Sequence, residues 1–299
     1  MITDVKLKKS SKFSLTNCII SFFLALSALL CVLPVVHVLA MSLSHTSIAN
    51  AGKVYFWPKQ ATLASYVKLI AEGDFAKAFG ISTLRVIVGT PLSLILILLM
   101  AYPLSHTKQQ FRLRNMFMWM TVFTMLFGGG LIPTYITVKT YGLIDTFWSL
   151  VLPGALNVYY VILMMNFFKG IPSELEEAAA IDGASPANIL FKIYLPVSLP
   201  ALATISLFII VSNWNDYFSG LIYMQHPEKY PLQTYIQQLV VKIDYSTITS
   251  TEELIERMKV SSMTFNCAKI FVSMIPILCI YPFLQRYFVH GLVLGSVKE

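Results

Sequence analysis

Residues 172–196 read Pro172-Ser173-Glu174-Leu175-Glu176-Glu177-Ala178-Ala179-Ala180-Ile181-Asp182-Gly183-Ala184-Ser185-Pro186-Ala187-Asn188-Ile189-Leu190-Phe191-Lys192-Ile193-Tyr194-Leu195-Pro196. This is the most acidic local cluster of the chain, and it lies between two long apolar runs. Ser173 with Glu176 three residues on has the capping-box pattern, in which each side chain satisfies a free backbone N–H of the other. Gly183 is the permissive residue that ends the short helix, and Ser185-Pro186 places a cap and a proline where a second helix begins. The stretch is therefore expected to be a compact helix-turn-helix connection presenting Ala178, Ala179 and Ala180 between carboxylates.

Outward from that loop the chain is strongly apolar. Of 299 residues, 56% are hydrophobic and only 12% charged, too little polar surface for a soluble protein of this size. The net charge of +7 is spread over short segments between apolar runs, as bias at membrane edges produces, and is not a nucleic-acid patch. The four cysteines show no CxxC or Cys/His ligand spacing, so buried, inert thiols are expected. The basic start, Lys6 to Lys12, precedes an apolar run too long for a signal peptide, which is read as a retained first span.

A helix needs about 20 apolar residues to cross a bilayer. Six stretches come close: about 18–43, 81–104, 116–138 (interrupted by Gly128-Gly129-Gly130 and Pro133), 147–168 without a charge, 195–224 with one acid, Asp216, and 267–288. Total Lys and Arg counts are similar on the two sides, but Lys6, Lys8, Lys9 and Lys12 crowd span one, and Lys108, Arg112 and Arg114 crowd the loop after span two. Both clusters are expected to face the cytoplasm. The fold class expected is an all-α integral membrane protein of six transmembrane helices, a single domain over 1–299, with both termini and the 172–196 loop cytoplasmic. A long outer loop, about 225–266, contains an amphipathic stretch, Thr251 to Val260, that is either a solvated cap or a docking surface.

Enzyme signatures are missing. There is no H-E-x-x-H, no paired membrane aspartates, no G-x-S-x-G, and no histidine pair with helical ligand spacing. Nor is there a phosphate-binding G-x-x-x-x-G-K-[ST]; Gly128-Gly129-Gly130 is followed by Leu131-Ile132-Pro133. Polar groups inside a membrane are costly and worth attention. Span five carries Ser212-Asn213-Trp214-Asn215-Asp216-Tyr217, either a structural network at the membrane boundary or part of a polar passage for sugars, with Asn157, Tyr159, Tyr160 and Asn166 of span four as further lining.

Glu177-Ala178-Ala179, three residues, Gly183, nine residues and Ile193-Tyr194-Leu195-Pro196 resemble in full the EAA pattern of ABC-importer membrane subunits. Gly130 to Tyr135, Asn213 to Tyr217 and the tail from Gln285 to Lys298 are similar to the carbohydrate-importer branch, which contains the maltose-type second permease and the polysaccharide permeases. The resemblance implies a coupling helix seated in a groove of a cytoplasmic ATPase dimer, with Glu174, Glu177, Ala178, Ala179, Asp182 and Gly183 as the docking residues. Small side chains allow close approach, and the acids, Glu176 included, can pair with basic groups. It also implies a second, non-identical permease, an extracellular solute-binding protein and a carbohydrate substrate in a lipid bilayer. ATP and Mg would be bound by the partner ATPase, so this chain needs no cofactor and is no enzyme. Asn213, Trp214, Asn215, Asp216 and Tyr160 are the candidates for the substrate passage. The same architecture for a non-carbohydrate solute and a stand-alone secondary transporter or channel remain as alternatives.

Overall fold

Within a bilayer core only helices and closed barrels satisfy every backbone N–H and C=O. This chain takes the first solution: no strand occurs among the described residues, which in the computed structural model are 15–241 and 263–296. In order they form α1 (Leu15–Ser42), α2 (Thr46–Asn50), α3 (Ala64–Ala71), α4 (Gly73–Ser105), α5 (Arg114–Leu126), α6 (Leu131–Thr140), α7 (Phe147–Val151), α8 (Val158–Phe168), α9 (Ser173–Ile181) and α10 (Pro186–Ile189). A π-helical turn, Leu190–Tyr194, leads to α11 (Leu195–Val197), α12 (Leu199–Asn215), α13 (Phe218–Tyr223), α14 (Leu232–Val241) and α15 (Met263–Ser296). Lys6 to Lys12, the amphipathic stretch 251–260 and the last tail residues, 297–299, lie outside the described residues.

Three helical stretches are long and apolar enough to cross a membrane: Thr16–Ser42, Gly73–Ser105 and Met263–Phe283. The other three expected spans are interrupted, each for a local reason. In place of a continuous 116–138 helix, α5 and α6 meet at 112° across the glycine run, where Gly130 has φ +88°, a conformation that costs glycine nothing. Instead of one helix over 147–168, α7 stops before Pro153-Gly154, and α8 starts where the Asn157 side chain accepts the Tyr159 N–H at 2.9 Å. With 11 residues, α8 rises about 16 Å, short of the roughly 30 Å hydrocarbon core. The expected fifth span, 195–224, is bent by 83° before α12 and broken after it at Asp216.

The described residues belong to two compact units, 1–67 with 252–271 and 68–251 with 272–299. In the first, α1 is apolar on all sides and its early turns are exposed, as at Phe22, Phe23 and Leu24. Ala40, Met41, Ala49, Val54 and Cys267 form its core. Of the thiols expected to be buried, only Cys267 is; Cys18, Cys31 and Cys279 are free and exposed because their helices present apolar surface outward.

In the second unit α4 is the axis. Ile97, Leu98, Ala101 and Leu104 cluster with Val161, Met164, Met165 and Phe168 of α8 and Ile205 and Ile209 of α12. That burial fixes which face of α4 carries Arg85, Gly89 and Ser93. Asp145, at φ +61°, clamps the turn after α6: its carboxylate accepts Lys229 Nζ at 2.5 Å, His226 Nδ1 at 2.7 Å and the Gln225 N–H at 3.0 Å. The Lys229 ammonium first, and then the other donors against a partial desolvation, hold this carboxyl well below the usual carboxylate range. A depressed carboxyl contributes stability that is complete above its unfolded value, about 4, and is lost as pH falls through the folded value. The melting-temperature gap between the native chain and Asp145→Asn in detergent is therefore expected to be full at pH 6 to 7 and to narrow below about pH 4.

Candidate functional site

Helix α9 is the first part of the site. Its expected capping box does not form: the N-cap position is Pro172 and no side chain caps the first turn. The Glu176 carboxylate instead accepts the Tyr194 hydroxyl at 2.6 Å and meets His106 Nε2 at 2.9 Å. The other end is as the residues dictate. Gly183 has φ +77°, the Ala184 N–H bonds to the Ala179 carbonyl at 2.9 Å and the Gly183 N–H to that of Ala180 at 3.1 Å, which is a Schellman closure. Ser185 then caps α10 by accepting the Asn188 N–H.

Glu174, Glu177, Ala178, Asp182 and Gly183 are all exposed, whereas Ala179 is half-buried and rests on the core with Ala184. No helix residue of α9 is fully buried. Leu175 and Ile181 are exposed too, Ile181 by 87%. An isoleucine so exposed on an acidic loop was not singled out by composition alone.

The second part is a polar cavity of about 30 Å³ lined by Ser93, Gly154, Ala155, Asn157, Tyr160, Ile209, Ser212 and Asn213, roomy enough for water and too small for a sugar ring. It brings together Asn213 and Tyr160, two of the residues named from the sequence, and adds Ser93 of α4. A Cβ on Gly89 would lie 3.1 Å from Asn213 Nδ2, so the glycine admits the amide. Tyr160 stacks on Phe208, with centroids 6.1 Å apart, and its ring is held in place beside the cavity. Asn215 is exposed on the same helix end. Trp214 and Asp216 are elsewhere. The Trp214 indole is buried and donates to the Ser273 carbonyl at 2.9 Å.

The family described as the inner membrane component of binding-protein-dependent transport systems matches residues 84–294 of the chain. The chain belongs to that family. A polygalacturonan/rhamnogalacturonan transport system permease protein of Bacillus subtilis is 40% identical, over 96% of this chain and 99% of its own length. A lactose transport system permease protein of Rhizobium radiobacter is 26% identical, over 92% and 94%. In a crystal structure of a bacterial ABC transporter involved in import of the acidic polysaccharide alginate, one chain superposes with a TM-score of 0.82 at 32% identity, covering 91% of this chain and 96% of that one. As an inner membrane component of such a system, the chain is a multi-pass membrane protein with a transport role.

For a permease of this family the most informative residue that sequence reading missed is Arg85. Its guanidinium donates to Asp216 Oδ2 at 2.6 Å, and its side chain is 5% exposed. Asp216 also accepts the Phe218 and Ser219 N–H groups at 2.9 and 3.1 Å and the Ser219 hydroxyl at 2.5 Å. Both carboxylate oxygens are thus engaged in capping α13 and neutralising Arg85. A signal was present: one cation and one acid, each alone in an apolar run, rarely stay apart in a membrane.

Proposed function

We propose that this chain is one of two permease subunits of an ATP-driven ABC importer for oligosaccharides, and that α9 is the helix on which a cytoplasmic ATPase dimer docks. The observation that carries it is α9 itself: a short helix closed at its C-terminal end by Gly183 and braced through Glu176, exposing Glu174, Glu177, Ala178, Ile181 and Asp182. ATP and Mg belong to the ATPase, and a solute-binding protein outside delivers the cargo. Six crossings, with both termini cytoplasmic, are made by α1, α4, the bent pair of α5 and α6, α7 with α8, α12, and α15. The saccharide names of the relatives support carbohydrate as cargo, and two of those names, polygalacturonan and alginate, point to acidic chains.

The passage is shared with the second permease, and Asn213, Tyr160, Asn157 and Ser93 contribute its neutral hydrogen-bonding wall, with Trp214 and Asp216 holding that wall in shape. In vesicles containing the full complex, Asn213→Ala and Tyr160→Phe are each expected to lower uptake of labelled oligogalacturonate by about fivefold to tenfold, the scale of one buried hydrogen bond. Gly89→Ala, which displaces the Asn213 amide without removing it, should have a smaller effect in the same direction. A tagged chain should co-purify an ATPase and a second permease. Unchanged oligosaccharide uptake in cells lacking this chain would sink the carbohydrate assignment, and transport without any co-purifying ATPase would sink the importer reading.

A further inference from the structure

We infer that Glu176 is a positioning residue, the tie-point through which α9 holds the end of α4 and the π-helical turn that precedes α12. The inference rests on the docking reading of α9.

The geometry is specific. Glu174 and Glu177 point outward, but the Glu176 side chain is only 18% exposed. Its Oε2 accepts the Tyr194 hydroxyl and its Oε1 lies 2.9 Å from His106 Nε2. A hydrogen on Nε2 donates to that carboxylate, and the other ring nitrogen, His106 Nδ1, is 2.8 Å from the Tyr102 carbonyl oxygen.

Three elements meet at this point. His106 is the C-cap of α4, Glu176 lies in α9, and Tyr194 ends the π-helical turn that leads through α11 and an 83° bend to α12. A π turn inserts an extra residue and re-aims the helix beyond it, and such turns concentrate at functional places. Tyr102, Phe168 and Tyr194 pack edge-on around the cluster, with Tyr102 4.6 Å from the His106 ring and 5.2 Å from that of Tyr194. Burial and the neighbouring Glu176 charge push the Tyr194 phenol up, so it remains a donor. Charged groups at this end include Arg114 of α5, which donates to the Leu104 carbonyl at 3.0 Å, and Lys169 after α8, whose ammonium pKa is lowered by burial and then by Arg114.

α4, and α12 beyond the bend that follows Tyr194, also line the polar cavity, through Ser93 and through Ile209, Ser212 and Asn213. A displacement of α9 by a closing ATPase therefore reaches both walls through this tie.

The test uses the whole complex purified through a tag on this chain, with the four native cysteines replaced by serine and Ser212→Cys as a reporter in the cavity. Maleimide labelling of that reporter is measured with and without a non-hydrolysable ATP analogue, and the ratio of the two rates is compared between variants. In the otherwise native chain the nucleotide is expected to change labelling about fivefold, the scale set by one buried hydrogen bond. His106→Gln, whose amide can donate to Glu176, should keep most of the response, and His106→Leu should weaken it. Glu176→Leu should abolish the response while the ATPase still co-purifies. Tyr194→Phe keeps the ring packing and should weaken the response, which keeps the test decisive if the Glu176 variant fails to fold. A response unaltered in both the Glu176 and Tyr194 variants overturns the inference. Absence of an ATPase from the native preparation overturns the docking reading, and this inference with it.

Discussion

Asp216→Ala is expected to leave little folded protein in the membrane, a larger effect than the loss of a passage-lining group. The substitution strands the Arg85 guanidinium, whose side chain is 5% exposed and whose Nε already has no acceptor among the described residues. Removing one member of a buried pair costs about 3–5 kcal/mol, because the remaining charge is left uncompensated. It also removes the acceptor for the Phe218 and Ser219 N–H groups, a cap worth about 1 kcal/mol. Asp216→Asn retains the cap and loses the charge, so it should fall between the two. Arg85→Leu with Asp216→Leu should recover much of what the single change loses, since two apolar residues in an apolar setting carry no stranded charge. The amount of monodisperse protein extracted in mild detergent, and its melting temperature, give the ranking. Recovery of Asp216→Ala protein at native yield would show that Arg85 does not depend on the pair.

Gly183→Arg is expected to abolish uptake while the chain still inserts and folds. The φ of +77° at this position costs a residue with a Cβ about 1–2 kcal/mol, which loosens the end of α9 without unfolding the membrane helices. A Cβ here would meet nothing within 4 Å in this chain, so the remainder of the effect falls on whatever packs against the exposed end. With ATPase docking on α9, a long cation beside Asp182 both blocks approach and alters the charge presented. Gly183→Ala, with the strain and no bulk, is expected to retain a substantial part of transport. The pair is read by uptake in vesicles beside ATPase co-purification. Normal uptake and co-purification in the arginine variant would remove this end of α9 from the docking surface.

Much of this protein was legible in the linear chain. The apolar runs, the acidic loop at 172–196, the glycine closure and the Ser185 cap are local properties, dictated by what each residue can do with its near neighbours. The helix-ending role of Gly183 needed only its freedom at positive φ, and α1, α4 and α15 needed only length and hydropathy. Where sequence and structure part, a competing partner usually lay far away in the chain. The Ser173 to Glu176 capping box lost because Tyr194 and His106 offered Glu176 a better-shielded pair of partners. The uninterrupted fourth span lost to Pro153-Gly154 and to the Asn157 cap, a local signal outweighed by a charge-free composition.

Sequence by itself determined that the chain is helical, membrane-embedded and equipped with an acidic helix-turn-helix segment between apolar runs, because hydropathy and helix termination are set within a few residues. Only the tertiary structure decided which polar side chains face the cavity, which acid neutralises Arg85, and which of three neighbouring glutamates turns inward. Those outcomes depend on α4, α8 and α12 packing together from distant parts of the chain, and a buried charge or amide takes the partner that packing brings within hydrogen-bond reach.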